Sequence, residues 1–249
     1  MKILFMGGKN IGYGCLKLLI ASKVDIVGII VNPSDTDAAR WYESTAELGL
    51  HHNLPVFMIE DINSEKGVAY IKELAPDLII VVYYDKILKK RIIDIPRKGC
   101  INLHMALAEE YRGCFPTTWA IMNGEQRCGV TLHYVDEGID SGDIIEQKEI
   151  IIDEGDTGRG LYEKCTRAGI ELFREELPRI LSDTVKRRKQ VTTEKTKYYK
   201  RNFPNREIDF SKSGREIYNR IRALIFDPFP PPFFYIGETK YVIKQETDQ

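Results

Sequence analysis

The sequence predicts an α/β fold, a Rossmann-like and mostly parallel sheet with helices on both faces, followed by a small C-terminal α+β appendage. Residues 2–6, 24–31 and 77–83 are apolar runs of strand length, as expected for strands covered on both faces. Helical patterns separate these runs along the chain. This alternation predicts parallel strands joined by right-handed crossovers, which place ligands beyond the carboxyl ends of the strands.

The first half of the chain supplies most of that sheet. The strand at 2–6 ends at Gly7-Gly8, and apolar residues then recur at helical spacing. Residues 35–50 contain helix formers, with Ala38, Trp41 and Leu48 on one side, so they predict a second helix. The remaining predicted elements are a short strand at 55–58 and a helix at 65–74, capped by Asn63 or Ser64 and stopped by Pro76.

The second half contains two strands, the longest helix and the appendage. Strands are predicted at 129–135 and from 144, and a helix at 116–121 precedes them. The segment 157–181 predicts a long helix that Pro178 should kink or end early. The basic run 186–189 indicates a solvated linker, and the character of the chain changes from Tyr198. We expect a catalytic domain at 1–184 and, at 185–249, a linker with a helix at 213–224 and a hairpin of 233–236 with 241–243.

Composition narrows the class of protein. The chain has 249 residues, 43% of them hydrophobic and 29% charged, and a formal net charge of −1. That charge does not favour nucleic acid or an anionic membrane as a partner. No apolar run approaches the roughly 20 residues that span a bilayer. The five cysteines are widely spaced without a C-x-x-C pair, so we expect no disulfide framework, no structural metal and a cytoplasmic location.

A glycine-rich turn follows the first strand. Helix N-termini bind anions, and glycine lets the backbone approach a phosphate. The turn lacks the G-x-G-x-x-G and G-K-[ST] patterns, and no acidic residue ends the second strand, which argues against a nicotinamide oxidoreductase. A phosphate contact from Gly8 and Lys9 and a turn that only packs helix on strand remain equal alternatives.

The stretch from 100 to 143 places an amide, an imidazole and a carboxylate close together in sequence. Asn102 and His104 share one face of an extended segment because side chains alternate with period two. An amide beside an imidazole can polarise a carbonyl and move a proton. His133 lies mid-strand and is expected to be packed. The acidic loop 136–143 lacks a calcium-binding register, and the apolar Ile139 within it predicts that the loop folds inward.

These motifs together resemble the formyl-folate-dependent formyltransferase family. Its members act on glycinamide ribonucleotide, methionyl-tRNA or nucleotide-linked amino sugars. The family pattern N-x-H-x-S-L-L-P-x-Y-R-G matches Asn102, His104 and 111–113 in register, and the strand G-V-T-x-H matches 129–133. The acidic loop with D-x-G matches 136–142. The resemblance covers roughly residues 1–180 and reaches into the appendage.

The resemblance implies a donor, 10-formyltetrahydrofolate, and a set of site residues. It implies that Asn102 stabilises the oxyanion, that His104 acts as base or acid, and that Asp140 orients His104 or a water. It places the pterin against two backbone segments. The residues implied for folate binding are Lys86, Ile87, Leu88, Asp136, Glu137, Gly138, Ile139 and Asp140.

One departure from the family pattern concerns the acceptor. Residues 106–109 read A-L-A-E where the family has S-L-L-P, which suggests a different acceptor with the chemistry retained. A short aromatic tail resembles the sugar N-formyltransferases, so the acceptor expected is a nucleotide-linked (dTDP-linked) 3- or 4-amino-dideoxy sugar for surface polysaccharide (O-antigen). Candidate acceptor contacts are Gly8, Lys9, Arg222 and Phe226; packing of the appendage on itself or on a second subunit is the other interpretation of its phenylalanines.

Three other functions stay open at this point. A methionyl-tRNA formyltransferase-like enzyme would show a basic surface and a full second domain. A non-catalytic folate-binding module would keep the fold without turnover, against which Asn102, His104 and Asp140 together argue. The third is the nicotinamide oxidoreductase, which the glycine pattern disfavours. A homodimer that pairs through the appendage is an expectation from the family resemblance.

Overall fold

A computed structural model describes residues 1–191 and 205–245 and contains a large sheet, helices on both of its faces and a separate hairpin. The strands of the large sheet are β1 Lys2–Gly7, β2 Asp25–Ile30, β3 Val56–Phe57, β4 Leu78–Val82, β5 Cys100–His104, β6 Arg127–Tyr134 and β7 Ile144–Ile151. The α-helices are α1 Lys9–Ala21, α2 Thr45–His51, α3 Glu65–Leu74, α4 Lys90–Ile93, α5 Pro116–Met122, α6 Gly158–Leu181 and α7 Gly214–Leu224. The hairpin pairs β8 Phe233–Ile236 with β9 Thr239–Val242.

The order of strands in the large sheet is β3-β2-β1-β4-β5-β6-β7. Strands β1 to β5 run parallel, whereas β6 is antiparallel to β5 and β7 is antiparallel to β6. The predicted Rossmann-like, mostly parallel sheet is therefore confirmed, together with the small C-terminal hairpin. The direction of the strands first changes after β5, the strand that carries Asn102 and His104, and it changes again between β6 and β7.

Helices cover both faces of the sheet because its central strands are apolar on both sides. In β1, Ile3 and Phe5 belong to the core formed with α1, α2, α5, α6 and α7, whereas Leu4 and Met6 belong to the core formed with α3 and α4. All four side chains are fully buried. Successive side chains of a strand point to opposite faces of the sheet. The same rule gives the face on which each residue of the other strands lies.

The helix predicted at 35–50 is wrong over most of its length. Residues Pro33–Thr36 form a 3₁₀ turn, and α2 begins only at Thr45. The buried carboxylate of Asp35 accepts hydrogen bonds from Ala46 N (2.7 Å) and Ser44 Oγ (2.9 Å). Asp35 thus binds one of the free N–H groups of the first turn of α2, and Ser44 caps the helix by accepting from Glu47 N, so the two residues fix the start of the helix there. Trp41 lies in the irregular segment before α2 and not on a helix.

Pro178 does not end α6 early, although this is one of the two outcomes predicted for it. The helix continues to Leu181, and Ser182 N donates to the Pro178 carbonyl at 3.0 Å. Proline removes one main-chain hydrogen bond from a helix. Leu177 and Ile180 on the same turn are almost completely buried in the core, and this burial holds the last turn in place.

The basic run 186–189 is exposed in its side chains, but its backbone is fixed. Ile144 N donates to the Arg188 carbonyl at 2.7 Å, and Arg188 N donates to the Ile144 carbonyl at 2.8 Å. The guanidinium of Arg187 lies 3.6 Å from the centre of the Tyr134 ring. We call residues 185–191 the strap, because Arg188 pairs with the start of β7. The side chains of the basic run are exposed, as expected for a solvated segment, whereas the backbone contacts of Arg188 are not predicted by the sequence.

The appendage contains the predicted helix and hairpin. Ser213 caps α7 in a reciprocal arrangement with Glu216, and the hairpin turns at Gly237, whose φ is +59°. The second hairpin strand begins two residues earlier than predicted, so the turn has only two residues. The predicted change of character at Tyr198 lies outside the described residues, and the domain boundary at 184 stays a prediction. No helix within 1–191 or 205–245 is long and apolar enough to cross a membrane.

Candidate active site

Three polar side chains lie on one face of the sheet where its direction changes. Asn102 and His104 occupy the same face of β5, as the sequence predicts, and His133 of β6 pairs with Asn102 across the strands. The acidic loop after β6 folds back over this face. A side chain at Gly142 would overlap the Tyr134 carbonyl, so only glycine lets the loop pass this close.

Asp140 brings the predicted catalytic trio together. Its Oδ2 accepts from Gly113 N at 2.8 Å and lies 3.6 Å from His104 Nδ1. Its Oδ1 accepts from Asn102 Nδ2 at 3.2 Å and lies 3.6 Å from His133 Nε2. The carboxylate therefore contacts groups from β5, β6 and the 111–113 segment at once. Four side chains thus form one connected site.

The hydrogen bonds of the two histidines indicate which ring nitrogen carries the proton in each neutral imidazole. His104 Nε2 lies 2.9 Å from the Tyr111 carbonyl, which can only accept, so Nε2 carries the proton. The unprotonated Nδ1 of His104 then faces Asp140. His133 Nδ1 lies 2.8 Å from the Tyr134 carbonyl, so its Nε2 is free to accept from Asn102 Nδ2 at 3.2 Å.

Burial and charge set the protonation of this site. Burial lowers the pKa of His104, and the neighbouring Asp140 carboxylate opposes that effect without cancelling it. For Asp140, burial would raise the pKa, but attraction to His104 and His133 and the hydrogen bond from Gly113 N hold the pKa well below its usual range. At neutral pH the site therefore combines an ionised carboxylate with a neutral imidazole whose basic nitrogen faces it.

The amide of Asn102 is fully used inside the site. Its two N–H hydrogens point to His133 and Asp140, so neither is directed at a separate group. Donation to a developing oxyanion, the role that the family resemblance implies for Asn102, requires that one of these two bonds be exchanged. The bond to His133 fixes which end of the amide carries the hydrogens.

His133 is the residue that sequence reasoning missed. The sequence predicts that it is packed, and it is indeed only 1% exposed, but its imidazole also contacts Asn102 and Asp140 of the trio. The available signal was the pairing of neighbouring strands. A strand antiparallel to that of Asn102 places one of its residues directly opposite on the same face, and period two makes that residue His133.

The two segments implied for folate binding face each other beside this site. Lys90 Nζ, just after the first segment, lies 3.2 Å from Glu137 Oε1 in the acidic loop. Lys86 directs its ammonium to the carbonyls of Ile59 and Glu60, which leaves a ligand only its backbone. Ile87 is exposed, and Leu88 is buried in the core beside α4.

The acidic loop itself is internally braced. Asp136 Oδ1 accepts from Gly138 N at 3.0 Å and from Ser141 Oγ at 2.7 Å, which closes a tight turn. Ile139 is half-buried, in agreement with the inward fold predicted from its apolar side chain.

Two of the predicted acceptor contacts, Gly8 and Lys9, begin α1 at the carboxyl end of β1. Lys9 has φ +60°, and its ammonium lies 3.8 Å from the centre of the Tyr42 ring. Burial lowers the pKa of Lys9, and the carboxylates of Asp85 and Asp35 oppose the effect. These two carboxylates partly neutralise the positive charge of Lys9, which weakens its attraction for a phosphate.

Arg222 is not available to a substrate, which corrects the sequence-based expectation. Its guanidinium is buried and donates to the carbonyls of Asp153 (3.0 Å) and Asp156 (3.1 Å) and to Asn219 Oδ1 (3.0 Å). These bonds tie α7 to the loop before α6. The arginine is therefore a structural residue that docks the appendage helix.

Phe226 belongs to a group of rings that we call the aromatic cluster. Its ring centre lies 5.2 Å from that of Trp41 and 5.4 Å from that of Tyr162. The members of the cluster are Trp41, Tyr42, Tyr162, Phe226 and Phe229. The appendage thus packs on the catalytic half through these edge-to-face contacts.

An open pocket of about 550 Å³ adjoins this cluster. It is lined by Asn10, Tyr13, Arg40, Trp41, Tyr42 and Glu43. Arg40 Nε is buried and has no hydrogen-bond partner within the described part of the chain, although the same guanidinium donates to Asp37 O and Glu47. A buried N–H without a partner is costly, and the guanidinium that carries it gives the lining of the pocket a positive charge that suits an anionic ligand. Sequence reasoning missed Arg40, although an arginine directly before two aromatic residues was the signal.

Comparison with known proteins gives the family. The family model described as formyl transferase matches residues 1–177. Methionyl-tRNA formyltransferase of Clostridioides difficile is 37% identical over 237 residues, 94% of this chain and 76% of that protein. The bifunctional polymyxin resistance protein ArnA of Wigglesworthia glossinidia brevipalpis is 36% identical over 245 residues, and the match covers 98% of this chain but only 37% of ArnA.

Two solved structures share the fold over nearly the whole chain. One is an N-formyltransferase from Helicobacter canadensis in complex with folinic acid and dTDP-3-aminofucose (TM-score 0.79, 26% identity, 96% of this chain and 86% of that one). The other is WlaRD, a sugar 3N-formyltransferase solved in the presence of dTDP and 5-N-formyl-THF (TM-score 0.80, 27% identity, 96% and 84%). The family match and these structures agree with the resemblance seen in the sequence motifs. The chain therefore belongs to the formyltransferase family and is a formyl-transferring enzyme.

Proposed function

We propose that this enzyme transfers the formyl group of 10-formyltetrahydrofolate to the amino group of a nucleotide-linked amino sugar. The observation that carries the choice of acceptor is the pocket that both Arg40 and Trp41 line. A guanidinium suits a diphosphate, and an aromatic ring suits a base. The two solved neighbours named above, which were obtained with dTDP or a dTDP-linked amino sugar, support the same choice.

A line of aromatic side chains links this pocket with the candidate active site. The ring centres of Trp41 and Tyr162 are 5.5 Å apart, and those of Tyr162 and Tyr83 are 6.1 Å apart. Tyr83 directly follows β4, and the last residue of that strand, Val82, pairs with Leu103 between the two catalytic positions of β5. A nucleotide held at Trp41 would therefore direct its sugar toward the trio along the carboxyl ends of the parallel strands.

The rival acceptor is methionyl-tRNA, and the sequence identity to the Clostridioides difficile enzyme favours it. Both acceptors present a primary amine, so the chemistry of the trio is the same for either. The formal net charge of −1 argues against tRNA, because phosphate-backbone binding needs a basic surface. We therefore favour the sugar, with a dTDP-linked 3- or 4-amino-dideoxy sugar as the expected acceptor.

The proposed mechanism assigns one task to each member of the site. The acceptor amine attacks the formyl carbon, and His104 Nδ1 takes the proton that the nitrogen releases. Asp140 then stabilises the imidazolium, and His104 returns the proton to the departing folate nitrogen. Asn102 exchanges one of its internal bonds for the oxyanion, a donation worth about 2.7–4 kcal/mol in other enzymes.

The donor is proposed to lie between the backbone of 86–88 and the acidic loop 136–140. The Lys90–Glu137 ion pair shows that the two segments approach each other, and it joins the rims of the proposed cleft. Main-chain N–H and C=O groups can form hydrogen bonds with the edge of a pterin. The proposed donor site therefore does not require particular side chains in this cleft. A formamido sugar made in the cytoplasm for surface polysaccharide, such as O-antigen, is the proposed product.

A mixed-acceptor assay tests this function. The protein should formylate one of a panel of dTDP-, UDP- and GDP-linked amino sugars when formyl-folate is supplied, with a mass gain of one formyl group. His104→Ala should lower the turnover about 10²–10⁴-fold because the proton acceptor is lost. His52→Ala, in an exposed loop, is the matched control. Formylation of methionyl-tRNA with no sugar product would assign the rival acceptor.

Trp41→Ala should raise the KM for the nucleotide sugar by roughly 10- to 100-fold, since base stacking on an aromatic ring is worth about 1–3 kcal/mol. The KM for formyl-folate should stay unchanged. Trp41→Phe keeps a stacking surface and should retain most of the affinity. Equal effects of Trp41→Ala on both KM values would mean that the residue supports the fold and not the acceptor.

The pH dependence of kcat/KM should show an acidic limb with a midpoint below 6.5, the ordinary value for histidine, because burial lowers the pKa of His104. Protonated His104 cannot accept a proton at Nδ1, so activity is lost as the pH falls through this pKa. Asp140 stays ionised throughout the limb. Rate measurements between about pH 5 and pH 8 check this, and a midpoint above 7 would contradict it.

The exposed apolar side chains of the hairpin support a proposed homodimer. Tyr235, Ile236, Tyr241 and Val242 are each about half exposed or more, and an isolated two-stranded hairpin is marginally stable by itself. Ile236→Asp should therefore convert a dimer to a monomer in sedimentation equilibrium. A charge change at Glu238, on the turn, is the control. A monomeric wild-type protein at micromolar concentration would exclude the dimer.

A further inference from the structure

The side-chain amide of Gln190, on the strap, makes three hydrogen bonds to the catalytic half of the chain. Its Nε2 donates to the carbonyl of Asp140 at 2.9 Å and to the carbonyl of Gly142 at 2.7 Å. Its Oε1 accepts from an Arg112 guanidinium nitrogen at 2.7 Å. Both hydrogens and the oxygen of this amide are therefore bonded, and all three partners belong to the segments that form the active site.

The backbone that Gln190 holds is strained. Asp140 has φ +48°, in the left-handed region that costs a residue other than glycine about 1–2 kcal/mol. Such a conformation persists only where surrounding contacts enforce it. The carboxylate of Asp140 is fixed by Gly113 N and Asn102, and its carbonyl is fixed by Gln190. Loss of the contact at the carbonyl would let the peptide relax and move the carboxylate.

The strap has its own anchor on the loop after β5. Arg188 contacts both carboxylate oxygens of Glu109, at 2.8 and 3.2 Å, and Val191 N donates to the same residue at 2.6 Å. Glu109 stands where the family motif has proline, which could form neither contact. The altered A-L-A-E segment, which the sequence suggested as an acceptor determinant, thus holds the strap in this chain.

We propose that Gln190 is a positioning residue that holds the left-handed Asp140 in place, with the strap fastened by the Glu109–Arg188 ion pair. This inference rests on the role proposed above for Asp140. The strap contributes no group to the reacting atoms. Through the side-chain amide of Gln190, the strap links the guanidinium of Arg112 to the backbone carbonyl of Asp140.

The histidines report the position of Asp140 without any acceptor. The sequence has four, so their imidazole resonances can be titrated separately by NMR, with His104 assigned by its loss in His104→Gln. Burial has the largest effect on the pKa of His104 and lowers it; of the groups that face His104, Asp140 and the Tyr111 carbonyl raise this pKa, and His133 and Arg112 lower it. If Asp140 moves away, the lowering groups remain. Gln190→Ala should therefore lower the pKa of His104 and leave the exposed His51 and His52 unchanged.

Turnover provides the second readout. Gln190→Ala should reduce kcat by about 10- to 100-fold, the effect expected when a catalytic group is displaced by about 1 Å, with little change in KM for the acceptor. Gln190→Met fills the same volume without hydrogen bonds and should behave like alanine. Lys189→Ala, on the neighbouring exposed residue of the strap, should match the wild type in both readouts.

The outcomes separate this inference from the proposed function. A folded Gln190→Ala or Gln190→Met protein with the wild-type His104 titration overturns the positioning role, whatever the acceptor proves to be. If Gln190→Ala lowers the melting temperature only, with titration and kcat unchanged, Gln190 is a structural residue. A lowered His104 pKa in either variant supports the role even if no nucleotide sugar is formylated.

Discussion

A single, mostly buried carboxylate organises the candidate active site of this chain. An ionised side chain that is 16% exposed is stable only if its oxygens are well bonded, and Asp140 obtains its contacts from three separate segments of the sequence. The Gly113 N–H, the Asn102 amide and the two imidazoles all converge on it. The Asn102 amide and the two imidazoles each have a second bond that fixes their orientation in turn. The position of one loop residue thus depends on two strands and two loops folding correctly.

The sheet explains why these groups meet at β5. This strand is the last of the parallel set and the first to pair with an antiparallel neighbour. Antiparallel pairing puts His133 directly opposite Asn102, and it sends the following loop back over the same face. A purely parallel sheet would place a helix between the two strands and would separate these groups.

The sequence was informative wherever local periodicity decides the structure. Period two placed Asn102 and His104 on one face, and the strand-helix rhythm gave the parallel sheet and its crossovers. The bounds of the helix at 65–74 are predicted to the residue, because an apolar stripe, a cap and a following proline agree there, and Ser64 is the one of the two candidate caps that the structure uses. Family motifs added Asp140, whose loop has no periodicity of its own.

The missed features all depend on contacts between distant segments. His133 joins the site through strand pairing, which periodicity alone does not reveal. Arg40 and Trp41 were assigned to a helix, because the buried carboxylate that delays α2 belongs to a tertiary contact. The strap was interpreted from its charges as solvated, whereas its backbone and Gln190 are bonded to residues more than 40 positions away.

The left-handed backbone of Asp140 restricts which amino acids can occupy this position. Besides glycine, asparagine and aspartate tolerate this conformation best, and their codons differ by a single base. An asparagine would keep the turn and could still accept from Gly113 N, yet it would carry no charge to stabilise an imidazolium. On the mechanism proposed above, one point mutation would remove the charge that stabilises the imidazolium and would keep the left-handed turn of the acidic loop. A protein of this fold that binds formyl-folate without transferring the formyl group would then differ from this chain by a single base change.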